Sequence, residues 1–98
     1  GQVNEPILPI DQIHSAFYLR IQVEEKTGVL ANISRILSEH GISIEAILQK
    51  PVHQQVGCVS IIIVTQCVLE KTLNAALALM TRLPEVQKEV GKIRIEEF

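Results

Sequence analysis

The sequence has no tryptophan, two cysteines, one methionine and only three aromatic residues, Phe17, Tyr18 and Phe98, among its 98 residues. Proteins that grip unpaired nucleic acid stack bases on aromatic platforms, and these few scattered rings do not build one. Nor is there a cluster of Lys or Arg. Nine basic against eleven acidic residues leave a net charge of -2, which removes the electrostatic footprint of a nucleic-acid or anionic-membrane binder. No stretch approaches the roughly 20 apolar residues that span a bilayer, and the N-terminus lacks the basic-then-apolar order of a secretory signal. The expectation is a cytoplasmic protein with neither nucleic acid nor membrane as partner.

The cysteines exclude as much. Cys58 and Cys67 stand nine positions apart in or beside an apolar strand, an odd separation that sends them to opposite faces if the strand continues. They read as buried or half-buried free thiols rather than a disulfide. His14, His40 and His53 are scattered, so no metal site is expected.

What is present is apolar patterning. With 47% hydrophobic residues, the chain fits one small domain with one core. Residues 1–16 stand apart: Pro6, Pro9 and the polar run Asp11 to Ser15 carry no sustained period. They read as a linker or docking strand at the end of a longer chain, because the apolar Ile7, Leu8 and Ile10 would be unusual in a free tail. From Phe17 the period becomes two, with Phe17, Leu19, Ile21 and Val23 alternating against Tyr18, Arg20, Gln22 and Glu24, the mark of a strand buried on one face. Val29, Leu30, Ile33, Ile36 and Leu37 then repeat at helical spacing, and Gly41 after His40 is a natural helix stop.

A second strand runs from Ile42 towards Pro51, and a third, Cys58 to Val64, is apolar on both faces. Leu69, Leu73, Ala76, Leu77 and Met80 make a second helical stripe closed by Leu83-Pro84, and Ile93 and Ile95 supply a last strand. The order βαββαβ predicts an α+β, ferredoxin-like fold over 17–98, a four-stranded antiparallel sheet with both helices on one face. Ile47, Ile62 and Val64 are expected on the other face, where leaving them in water costs about 25 cal/mol per Å² of apolar surface. A homodimer or higher homo-oligomer would bury them. The alternative is that Ile7, Leu8 and Ile10 fold over part of that surface.

This fold hosts many functions, so motifs must choose. An RNA-recognition version would need stacking aromatics where the third strand has Ser60, Ile62 and Val64. A metal-carrying version would need a CxxC loop where Glu25-Lys26-Thr27 stands, and an acylphosphatase-like one would need an arginine in the loop between Arg20 and Arg35. No catalytic nucleophile and base pair up. The loop does offer one feature: the charged turn after the first strand ends in Gly28, and the helix start leaves N–H groups of Gly28, Val29 and Leu30 free for a small anion. A glycine there also serves purely steric ends.

The runs Glu24-Glu25-Lys26-Thr27-Gly28-Val29-Leu30 and Glu39-His40-Gly41-Ile42-Ser43-Ile44-Glu45 resemble an ACT domain, the amino-acid-sensing module of biosynthetic enzymes. Leu8-Pro9-Ile10-Asp11 before Ser15-Ala16-Phe17-Tyr18-Leu19-Arg20, with Ile44-Glu45-Ala46-Ile47-Leu48-Gln49-Lys50, is similar to the C-terminal regulatory region of bacterial homoserine dehydrogenases. That resemblance implies feedback regulation of threonine and methionine biosynthesis by an amino-acid effector, threonine. It also implies a parent oxidoreductase that interconverts aspartate semialdehyde and homoserine, with catalytic residues and NAD(P) in the upstream domain and no cofactor in these 98 residues. The effector would be held by Glu25, Gly28, Val29 and Leu30 in the loop and by Ser43 early in the second strand, at a subunit interface. The chain departs from amino-acid-binding relatives at three places: Glu25 replaces Asp or Asn, Thr27 replaces Pro, and Ser43 replaces Asn. Besides regulation, a purely structural dimerisation module without ligand fits the same pattern.

Overall fold

A computed structural model of the chain describes residues 12–25, 27–53 and 55–95. Ile7, Leu8, Ile10 and Phe98 lie outside them. The elements run β1 (His14–Glu24), α1 (Val29–Glu39), β2 (Ile44–Pro51), β3 (Cys58–Thr65), β4 (Val68–Leu69), α2 (Glu70–Met80) and β5 (Val86–Ile95). This is the ferredoxin-like α+β order with one addition, the two-residue strand β4.

The period-two pattern makes β1 the centre of the sheet. It pairs antiparallel with β3 through Tyr18–Val64 to Glu24–Cys58 and with β5 through Ala16–Ile95 to Val23–Val86. β2 adds to β3 on its far side, so β2 and β5 are the long edges. Phe17, Leu19, Ile21 and Val23 of β1 join Val59, Ile61 and Ile63 of β3 under Val29, Ile33, Ile36 and Leu37 of α1 and Leu73, Ala76 and Met80 of α2. Each such Leu or Ile contributes about 1.5–3 kcal/mol by leaving water. The helices therefore cover one face only, because only that face of β1 is uniformly apolar.

Local chemistry sets the element ends. α1 stops at His40, whose Nδ1–H donates to the Ile36 carbonyl at 2.8 Å, and Gly41 takes φ +69°, a left-handed value that costs glycine little. At the start of β1, pairing passes from β3 to β4, which joins His14 and Ser15. The buried Phe17 N–H is satisfied there by the Thr65 hydroxyl at 3.0 Å, which explains a polar residue 1% exposed in the core.

Four expectations are corrected. Strand β1 opens at His14, three residues before Phe17, because β4 offers it a partner. Leu69 belongs to β4 rather than to α2, and Cys67 is exposed in the turn before β4. Ile47 does not share a face with Ile62 and Val64. It pairs with Ile63, on the helix-bearing side, and Leu48 pairs with Ile62 on the open side. The cause is a register shift between Ile44 and Ala46: one extra residue at Glu45 inverts every later side chain of β2. Ile47 remains 43% exposed because β2 is an edge strand.

Candidate functional site

Strand β1 delivers Glu24 and Glu25 to the rim of the sheet, where two backbone bonds pin the loop. Glu24 N–H donates to the Glu85 carbonyl at 2.8 Å, and Glu25 N–H donates to the Gly57 carbonyl at 2.7 Å. The chain must then reverse into α1 within a few residues. Gly28 makes that reversal at φ +91°, ψ -10°, and its carbonyl accepts the first helical bond, from Asn32 N–H at 2.9 Å. A side chain on Gly28 would meet nothing within 4 Å, so its backbone angle, rather than crowding, selects glycine.

The residue at the helix start, Gly28, has no side chain with which to cap α1, and the first turn carries no acidic residue, so neither of these occupies the N–H groups at the positive end of the helix dipole. In front of them lies a pocket of about 90 Å³ lined by Glu24, Glu25, Gly28, Leu30 and Gln49. Its apolar wall comes from Val23, Val29, Val59 and Ile61, all of them core residues. Donors for a carboxylate, an acid for an ammonium group and an apolar wall are the three contacts a small amino acid needs.

Of the five effector residues expected from the sequence, the structure brings Glu25, Gly28, Val29 and Leu30 together. Ser43 is elsewhere. It precedes β2, beyond the far end of the eleven-residue α1, about 16 Å of helix away from Gly28, and its carbonyl accepts Gln66 N–H at 2.9 Å. The polar β2 residue that does line the pocket is Gln49, which pairs with Ile61 on the helix-bearing face. Simple alternation from Ile42 puts Gln49 on the opposite side; the bulge at Glu45 turns it inwards, and nothing in the run of residue types announces that bulge.

An α+β module whose first strand runs through a glycine turn into a helix over the sheet defines a class, and the chain belongs to it: residues 17–85 match the ACT domain family. More narrowly, the chain is 47% identical over 95 residues to the homoserine dehydrogenase of Pseudomonas aeruginosa, covering 97% of this chain and 22% of that protein. It is 42% identical over 96 residues to the homoserine dehydrogenase of Methylobacillus glycogenes, covering 98% of this chain and 23% of that one. Among solved structures, a homoserine dehydrogenase from Thiobacillus denitrificans superposes with a TM-score of 0.83 at 40% identity, over 97% of this chain and 20% of that one. The ACT domain of GTP pyrophosphokinase from Chlorobium tepidum shares the fold, with a TM-score of 0.66 at 16% identity over 83% of this chain and the whole of that one. The chain thus spans about a fifth of the length of the homoserine dehydrogenases it matches.

Proposed function

We propose that this chain is the C-terminal regulatory domain of a homoserine dehydrogenase and that it binds threonine in the Gly28 pocket as a feedback effector of threonine and methionine biosynthesis. The observation that carries the reading is the convergence of the uncapped helix start, Glu25 and Gln49 around one apolar-walled pocket. The effector carboxylate meets the N–H groups around Gly28 to Leu30, its ammonium faces Glu25, and Gln49 reaches the side-chain hydroxyl. The catalytic and NAD(P)-binding residues, which interconvert aspartate semialdehyde and homoserine, belong to an upstream domain joined through the residues that precede β1. The protein works in the cytoplasm.

The pocket is small for its task. Ligand sites usually enclose about 300–1,000 Å³, and one chain offers about 90 Å³. A second copy laid along β2 supplies the missing wall. Both long edges carry charge, Lys88, Glu89, Lys92 and Arg94 along β5 and Glu45 and Lys50 on β2, but on β2 the bulge, the charges and Pro51 sit towards the ends and leave the uncharged run Ala46-Ile47-Leu48-Gln49 between them as a stretch open to pairing. Antiparallel β2–β2 pairing carries the second copy's Ser43 towards the Gln49 end of the first. Ser43 then acts across the interface, beside Ile47.

A structural dimerisation module without ligand is the second reading, favoured by that same small volume. Calorimetric titration of the chain with threonine, methionine and other amino acids decides between them. Saturable threonine binding, tighter in the dimer, supports the effector role; a dimer that takes up no amino acid at millimolar concentration leaves the structural one.

A further inference from the structure

The candidate pocket and the point where the polypeptide enters the domain lie at opposite ends of β1. Glu24 and Glu25 reach the pocket, whereas His14 and Ser15 pair with β4 and the Ile13 carbonyl accepts Glu70 N–H at 2.7 Å. Over the eleven residues of β1, ten steps of about 3.4 Å set the two ends roughly 34 Å apart. The residues leading into β1 are thus delivered at the entry end and held there by β4 and α2.

That end of the sheet is hollowed. A cavity of about 450 Å³ is bounded by Ile13, His14, Ser15, Cys67, Arg94 and Ile95. A second, of about 360 Å³, lies against Glu45, Val64, Thr65 and Gln66, and the two share Ala16, Cys67 and Ile95. The Ser15 hydroxyl donates to the Ile95 carbonyl at 2.8 Å, which holds the β1 and β5 walls together. Apolar Ile13, Ala16, Val64 and Ile95 are mixed here with His14, Gln66, Cys67 and Arg94, all four of them exposed. Among the described residues, the side chains of His14 and Arg94 have no ion-pair or hydrogen-bond partner. A surface of this mixed character is what domains of one chain use against each other.

We propose, resting on the regulatory-domain reading, that this hollowed end is the docking surface for the dehydrogenase part of the same polypeptide. The homoserine dehydrogenases matched by the chain carry about four fifths of their length outside it, and on that reading the connection arrives at this end of β1. A short tether holds its two modules at about millimolar effective concentration, so a modest contact suffices. An acidic side chain of the dehydrogenase part faces Arg94, and an apolar one enters the hollow beside Ile13 and Ile95. Strand β1 then touches the dehydrogenase part at one end and the effector at the other, and the two do not compete for the same residues.

The test is the rate at which iodoacetamide alkylates Cys67 in the 98-residue chain and in the full polypeptide with its dehydrogenase part, read by mass spectrometry, with circular dichroism confirming the fold of each. Cys67 is exposed in the domain by itself, and half-buried Cys58, at the other end of β3, is the internal reference. With a dissociation constant of about 0.1 mM against about 1 mM effective concentration, roughly a tenth of the molecules stay undocked. Cys67 should therefore react about tenfold more slowly in the full polypeptide, while Cys58 reacts alike in both. Arg94→Glu in the full polypeptide should return Cys67 towards the rate of the isolated domain, and Arg94→Lys should keep it protected. Equal Cys67 rates in the two forms overturn the docking surface, whether or not calorimetry finds threonine bound. Protection that survives Arg94→Glu overturns the assigned acidic partner. Homoserine dehydrogenase activity of the full polypeptide, assayed separately, tests the reading on which the proposal rests.

Discussion

Lys92 Nζ donates to Glu70 Oε2 at 2.6 Å, tying the end of β5 to the first turn of α2. The Glu70 side chain is 6% exposed and that of Lys92 27%. The ammonium also donates to Asn74 Oδ1 at 2.8 Å and lies 5.8 Å from the centre of the Phe17 ring. Glu70 N–H meanwhile holds the Ile13 carbonyl at 2.7 Å, so one residue anchors both the last strand and the entry to the first. The acid also sits where the helix dipole favours it.

Removing only the cation should be costly. Lys92→Met leaves a buried carboxylate without its partner, and we expect a loss of about 2–3 kcal/mol, a fall in Tm of roughly 10 °C or more for a domain of this size. Adding Glu70→Gln should recover part of it, because the uncompensated charge is gone. Thermal denaturation of both single variants and the double variant measures the coupling; equal losses for Lys92→Met alone and for the pair would contradict it.

A quieter core contact should be nearly as informative. Thr65→Val keeps the shape of the side chain but withdraws the acceptor for the buried Phe17 N–H, which should cost about 1–3 kcal/mol. Urea denaturation should show a lower midpoint with an unchanged slope. A neutral result would mean that water reaches the Phe17 N–H.

Gly28→Ala should destabilise through backbone angle alone, since the space around a new Cβ is empty. A left-handed alanine costs about 1–2 kcal/mol. Gly28→Val adds branched bulk at the position assigned to the effector carboxylate, so threonine binding should fall further than stability does. Calorimetry beside urea melts separates the two effects, and a folded valine variant that binds threonine like the parent would move the site away from the loop.

Gln49→Ala should weaken threonine binding, whereas Glu25→Gln should change it by no more than about 1 kcal/mol, the usual worth of an exposed ion pair. Ser43→Ala distinguishes the two ways of building the pocket. If the second copy supplies Ser43, the substitution weakens binding in the dimer and leaves dimerisation itself little changed. Threonine affinity independent of protein concentration, with Ser43→Ala silent, would place the whole site within one chain.

Much of this architecture is written in short-range patterns. The two-residue period of Phe17 to Val23 defines β1 and its buried side, the helical spacing of Val29 to Leu37 defines α1, and Gly28 and Gly41 mark its limits because left-handed backbone is costly for other residues. The loop half of the candidate pocket follows, since Glu25, Gly28, Val29 and Leu30 are neighbours in the chain. The faces of β2 do not follow. Alternation from Ile42 assigns Ile47 outwards and Gln49 away from the helices, and one extra residue at Glu45 reverses both. A bulge depends on how β2 seats against Val64 and Thr65 of another strand, an interaction that no window of β2 contains. The two-residue β4 is equally non-local: Val68 and Leu69 become a strand because Ser15 and His14 stand opposite them. Residue types alone thus determined the two helices, the four long strands and the glycine loop, while pairing in the sheet added β4 and decided which side chains meet at the site, because it joins residues far apart in the chain.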